Sequence, residues 1–254
     1  MLRVDLNSDL GEGFGAYACG DDEPMLATIT SANVACGLHA GDPEIMARTF
    51  ASAREHGVAV GAHPGFPDLW GFGRRRIPFS AGEIERLVAY QIGAAAALSA
   101  YAGHPIGYVK AHGALANLAA EERPVAEAVA AAVRAVDPRL ALLAIALTEQ
   151  VAAGEAAGLR VFQEIFADRG YDDAGQLIAR GKPGAMVESA EGAASRVVAM
   201  VSEGAIITSA GTRLPARIDS ICVHGDSAHA VAMARRVRES LSAAGIELAA
   251  FGLK

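Results

Sequence analysis

The sequence predicts an α/β fold, a (β/α) barrel of about seven parallel strands that occupies residues 1–254 as a single domain. Short apolar runs of strand length alternate with helix-length segments along the whole chain, a rhythm that calls for a parallel sheet. No linker-like stretch interrupts it. At 254 residues one large core is favoured over two small ones, and closure over the open doubly wound sheet that periodicity alone also allows.

In chain order, the strand-length runs are residues 3–7, 31–36, 58–62, 106–110, 140–145, 159–166 and 218–223, each followed by polar or glycine-rich residues. The helix after the second run is opened by Asp42-Pro43-Glu44 and closed at Gly57, which combines an N-cap, a proline at the first helical position and a glycine C-cap. The next begins with the capping-box pattern Ser80-x-x-Glu83 and places Ile84, Leu87, Val88, Ile92, Ala95 and Leu98 at helical spacing. Alanine runs at 94–97 and 128–132 fit close-packed helices. A last helix over 227–245 carries Val231, Ala234, Val237 and Leu241 on one face.

Composition removes several function classes. Apolar residues make up 52% and charged residues 20%, far from the disordered class. A net charge of −7, with no basic tract except Arg74-Arg75-Arg76, argues against nucleic-acid binding. Cys19, Cys36 and Cys222 form no C-x-x-C, so neither a disulfide framework nor a cysteine zinc site is expected, and Cys36 and Cys222 read as inert buried thiols. The first residues lack an apolar signal core and no stretch is long enough to span a membrane, so a cytoplasmic location is expected.

The chemistry gathers at strand ends. His39, His63, His112 and His224 each fall at or just after the carboxyl end of a predicted strand, which in a barrel is the rim where ligands bind. Alternation along the first strand turns Asp5, Asn7 and Asp9 to one side, with Glu12 just beyond. Carboxylates aimed into a barrel require a cation, a proton or a metal. Mg²⁺ shared with a nucleotide would suit carboxylates, and imidazole with carboxylate equally suits zinc or manganese; the bland alternative is that Asp9 and Glu12 cap a turn.

Nucleotide signatures are weak. The run 11–16 matches G-x-G-x-x-G/A but lacks the acidic residue at the end of the second strand, and 175–182 does not match a phosphate loop. Gly71-Phe72-Gly73 followed by Arg74 and Arg75 offers a flexed loop with guanidiniums for carboxylate or phosphate, or simply a solvated basic loop. Lys110 could polarise a carbonyl or phosphoryl oxygen, and Asp168 and Arg169 follow another strand; each could instead be a structural ion pair.

These residues resemble the LamB/YcsF family. The resemblance is carried by DLNSDLGEGFG at 5–15, SANVACGLHAGDP at 31–43, GAHPGFPD at 61–68, GFGRR at 71–75, VKAHGAL at 109–115, FADR at 166–169 and ICVHGD at 221–226. The family commonly has Cys, Pro and Tyr where Ser8, Ala111 and Ala116 stand. It implies a deformed (β/α) barrel and a part in the ATP-dependent opening of 5-oxoproline to L-glutamate, with 5-oxoprolinase subunits B and C as partners. On that reading Asp9, Glu12, His39, His63, Lys110, His112 and His224 are the catalytic candidates. Asp5, Asn7, Arg74, Arg75, Asp168, Arg169 and Asp226 are the candidates for substrate or nucleotide, and the cofactors are ATP and a divalent metal, Mg²⁺ first. The competing readings are a metal-dependent amide or sugar deacetylase and a non-catalytic substrate-binding subunit. Homo-oligomerisation is left open.

Overall fold

Strand β1 (Arg3–Leu10) is where the sheet meets itself. In this computed structural model, which describes residues 2–225 and 229–251, the chain continues through α1 (Asp22–Leu26), β2 (Ser31–Ala35), α2 (Pro43–His56), β3 (Ala59–His63), α3 (Ala81–Tyr101), β4 (Tyr108–Val109), α4 (Gly113–Glu121) and α5 (Arg123–Val136). There follow β5 (Ala141–Ile145), α6 (Glu149–Ala156), β6 (Val161–Phe166), α7 (Ala190–Glu203), β7 (Ala205–Ile207), β8 (Arg213–Pro215), β9 (Ser220–Cys222), α8 (Ala230–Ala243) and β10 (Glu247–Leu248). On one side β1 pairs with β2, Asn7 opposite Ser31 and Asp9 opposite Asn33; on the other it pairs with β9, Asp5 opposite Ser220 and Asn7 opposite Cys222. The order β1-β2-β3-β4-β5-β6-β9 and back to β1 is a closed, all-parallel barrel of seven strands, as predicted.

The helices form because their ends are satisfied locally. Asp42 accepts from the Glu44 and Ile45 amides at 2.9 Å each, and Gly57 ends α2 in the left-handed conformation at φ +67°. Ser80 and Glu83 complete a reciprocal capping box at the start of α3. Their apolar faces cover the outer surface of the barrel in one continuous core that includes Leu6, Val34, Phe50, Ile84, Ile92, Leu115 and Ile165.

Several details depart from the sequence reading. β1 runs three residues further, to Leu10, because its polar inner face continues the ladder against β2. The strand expected over 106–110 narrows to Tyr108–Val109, and the last helix begins at Ala230. A hairpin of β7 and β8 and a short β10 beside the amino end of β1 went unforeseen; all three are only two or three residues long, too short for a period.

The barrel interior is layered. Near the amino ends of the strands Tyr108, Ala141, Leu143 and Phe162 meet Phe251, which arrives from beyond β10, with ring centroids 4.9 Å from Tyr108 and 4.5 Å from Phe162. Towards the carboxyl ends the interior turns polar. Tyr108 joins the two layers by donating its hydroxyl to Asn33 Oδ1 at 2.8 Å. Gly61 makes room for that ring: a Cβ there would lie 2.3 Å from a Tyr108 ring carbon. Gly61→Ala is therefore expected to destabilise the protein by about 1–3 kcal/mol in urea unfolding, the usual cost of overpacking a filled core. Wild-type stability would show that the ring has somewhere else to go.

Candidate active site

Three carboxylates and one ammonium occupy the polar layer. Asp5, the deepest, accepts from Thr30 Oγ1 and Ser31 Oγ at 2.6 Å each and from the Ser220 hydroxyl. Burial nevertheless raises its pKa to about 6. Asn7, above it, donates to Ser220 Oγ at 2.7 Å and to Glu164 Oε2 at 3.2 Å, and accepts from Asn33 Nδ2 at 2.7 Å. Asp9 Oδ1 accepts from Lys110 Nζ and from Asn33 Nδ2, both at 2.8 Å, while Oδ2 lies 3.3 Å from His63 Nε2. Glu164 Oε2 is 3.5 Å from Lys110 Nζ on its other side.

Their protonation follows from what each touches. Burial works against the charge on Asp9, but His63 and Lys110 outweigh it and hold the carboxyl well below the ordinary range. Burial likewise opposes the Lys110 ammonium, and Asp9 foremost keeps it well above the usual lysine value. Glu164 has only a share of that cation, so desolvation pushes it up to about 7. The Lys110 ammonium is also 3.1 Å from Cys222 Sγ. Burial raises the Cys222 thiol, and it pushes the Cys36 thiol up to about 12, which suits inert thiols.

Beside this group Glu12, His39, His63 and His112 converge, all buried, each offering a donor atom within 4.8 Å of the others. The His39 and His112 rings stack at 3.7 Å, and two glycines permit it. A Cβ on Gly65 would meet His39 Nδ1 at 2.6 Å, and one on Gly73 (φ +64°) would meet the His39 and His112 side chains at 2.7 and 2.8 Å. Burial holds His39 and His112 well below the ordinary imidazole range. His224, at the end of β9, takes a different partner: its Nδ1 lies 2.8 Å from Asp168 Oδ2, and its ring stacks on Phe166.

The basic residues divide. Arg74 and Arg169 line, with Asp9, His63, Lys110, His112, Arg180 and His224, a cavity of about 350 Å³ at the barrel mouth. Arg169 is buried and donates to the Ile178 and Ala185 carbonyls at 2.7 and 3.2 Å. The Arg75 guanidinium grips the carboxylate of Asp68, and Arg76 pairs with Glu121 at the surface, so Arg74 is the member of the run that reaches the cavity. Asp5 and Asn7 sit below the cavity, and Glu12 and His39 line a neighbouring one with Phe14 and Trp70. Asp226 lies outside the described residues.

Sequence reasoning missed Glu164, Asn33, Tyr108 and Asp68. Glu164 left a signal: in Val161-Phe162-Gln163-Glu164-Ile165-Phe166 it shares the inward period-2 face with Phe162 and Phe166, where a charge needs a partner.

The LamB/YcsF family profile matches residues 4–253. The chain belongs to the LamB/YcsF family. Among its relatives in that family, the A subunit of 5-oxoprolinase from Azorhizobium caulinodans is 63% identical over 251 residues, 99% of each chain. The Gluconobacter oxydans protein of the same name is 58% identical over 97% of each. A crystal structure of the lactam utilization protein from Thermus thermophilus superposes with a TM-score of 0.93 at 44% identity, covering 98% of this chain and all of that one. No helix among the described residues is long and apolar enough to cross a membrane.

The raised Glu164 gives a pH signature. A carboxyl whose folded pKa exceeds its unfolded value binds its proton more tightly in the native protein, so its stabilisation is complete below about 4.5 and is lost as pH rises to about 7. In urea unfolding, Glu164→Gln should gain stability relative to wild type as pH rises across that window. Asp5 contributes the same sign to both proteins and cancels. A difference that stays constant with pH would mean that Glu164 is ionised throughout.

Proposed function

We propose that this chain provides the lactam-binding and ring-opening site of 5-oxoprolinase, and that with subunits B and C it hydrolyses 5-oxoproline to L-glutamate while ATP is converted to ADP and phosphate. The observation that carries the reading is Lys110: one buried ammonium, gripped by Asp9 and Glu164, lining a cavity whose wall also carries Arg74 and Arg180. 5-Oxoproline is a small cyclic amide with a carboxylate. Guanidiniums on the wall suit the carboxylate, and the ammonium suits the ring carbonyl oxygen as negative charge grows there. The names of the relatives point to the same substrate class.

The amide of an unstrained five-membered lactam is a poor electrophile, and its amine a poor leaving group. ATP supplies a phosphoryl group that turns the carbonyl oxygen into a better acceptor of charge. The cationic wall would hold the phosphoryl oxygens of the activated carbonyl. Water adds to its carbon, the ring C–N bond breaks as nitrogen takes a proton, and a second water releases phosphate from the resulting acyl phosphate. His224, oriented through Nδ1 by Asp168, is placed to move a proton to or from water at the cavity. Asp9 keeps Lys110 charged and in place throughout.

Reconstitution with subunits B and C, measuring glutamate and ADP together, tests the reading. Equal release of both is expected from the assembly, and little or none from the isolated chain. ATP-coupled turnover by this chain alone would overturn the need for partners, and glutamate formed without ATP would favour a metal-dependent amidohydrolase instead. Within the assembly His224→Gln should lower turnover by at least about 10²-fold, the scale of a lost proton-transfer group. Its thermal midpoint should stay near that of wild type, because the ring sits at a partly exposed cavity wall.

A further inference from the structure

Hydrogen-bond bookkeeping around the histidine cluster does not close with protons alone. His63 Nδ1 lies 2.8 Å from the Lys110 carbonyl oxygen and His112 Nε2 lies 2.8 Å from the Phe72 carbonyl oxygen. A carbonyl oxygen only accepts, so each of those nitrogens carries the ring's hydrogen. In the neutral rings His63 Nε2 and His112 Nδ1 are then both bare lone pairs, yet they face each other at 3.1 Å. Asp9 Oδ2, a further acceptor, stands 3.3 Å from His63 Nε2, and Glu12 Oε1 stands 3.6 Å from His112 Nδ1. A single proton between the two imidazoles would settle one of these contacts. It would leave His39, 1% exposed, with neither ring nitrogen hydrogen-bonded.

We propose that Glu12, His39, His63 and His112 bind a divalent first-row transition-metal ion of the zinc type, beside the cavity that Lys110 lines. Three of the six donor separations lie near those around such an ion, and all lie within 4.8 Å. Four donors about 2.0–2.1 Å from a tetrahedral zinc lie about 3.3–3.4 Å from one another. The separations are 3.1 Å from His63 Nε2 to His112 Nδ1, 3.5 Å from His39 Nε2 to Glu12 Oε1 and 3.6 Å from His112 Nδ1 to Glu12 Oε1. The backbone carbonyls of Lys110 and Phe72 do what carbonyls behind metal-bound histidines do: they fix the tautomer and aim the other nitrogen inward. Three imidazoles with one carboxylate form a borderline donor set, suited to zinc, cobalt, nickel, iron or manganese rather than to Mg²⁺, which prefers oxygen.

The test reads metal, not turnover. Purified chain is stripped with a chelator, incubated with Zn²⁺ or Co²⁺, desalted and analysed for bound metal, with thermal melts and the visible spectrum of the cobalt form recorded alongside. About one equivalent per chain is expected, with a raised melting midpoint and d–d bands of a low-symmetry cobalt site. His39→Asn should lower metal affinity at least about tenfold, in line with the loss of a ligand where even supporting contacts count 10–100-fold. The melting midpoint of its stripped form should stay near that of stripped wild type, since the His39 nitrogens bond nothing. Glu12→Gln is the second variant and should also weaken binding. Absence of stoichiometric metal in wild type, or unchanged affinity in both variants, overturns the site. Neither result bears on glutamate and ADP release, so a failed metal site and a failed lactam assignment are separable.

Discussion

The ion pair between Asp9 and Lys110 is the constraint around which the rest of the barrel interior is arranged. Both groups are buried, 2.8 Å apart, and neither would tolerate that position alone, because stripping water from a lone charge costs several kcal/mol even after relaxation. The pair brings together residues 101 positions apart in sequence, across the barrel from β1 to the end of β4. The polar groups that β2, β6 and β9 bring beside it are then spoken for. Asn33 bridges Asn7 and Asp9, Ser220 bridges Asn7 and Asp5, and Glu164 shares the ammonium that Asp9 holds. A network so connected has one satisfied geometry, which is what a site needs if its charges are to be in place before a ligand arrives.

How much of this was legible in the residues depends on the range of the interaction. Local signals were reliable: Asp42, Pro43 and Gly57 bound α2, and Ser80 with Glu83 starts α3, because caps are contacts within a few residues. Strand-end histidines announced the rim, since barrel geometry alone collects the carboxyl ends of parallel strands. What the sequence could not convey is which partner each group selects. His63 and His112 turn to each other, His63 also to Asp9 and His112 to Glu12, whereas His224 turns to Asp168, a choice fixed by where the strands stand around the barrel. Glu164 was overlooked because an apolar strand masks a single charge until its inward face is known.

The arginine run illustrates the limit of composition as a guide to electrostatics. Three consecutive guanidiniums look like one anion trap in the sequence, but the loop splits them. Arg75 turns back to Asp68 within its own loop, whose position also depends on Gly71 and Gly73, and Arg76 runs along the surface to Glu121. Positive potential at the mouth comes instead from Arg74 joined by Arg169 and Arg180, residues brought in from the far side of the barrel. The field felt by a ligand is a property of the closed barrel and not of any one segment.

Closure through β1 and β9 also sets a schedule for assembly. β1 is made first, yet its second neighbour is Ser220–Cys222, and the ring that fills the lower interior, Phe251, comes later still. Until then Asp5, Asn7 and Asp9 keep their hydration, and the half-built sheet exposes two unpaired edges, one of them β1. A chain emerging from the ribosome thus cannot secure its first strand until nearly all of it has been synthesised. Such late, long-range pairing makes for slow folding and leaves open-edged intermediates exposed to aggregation.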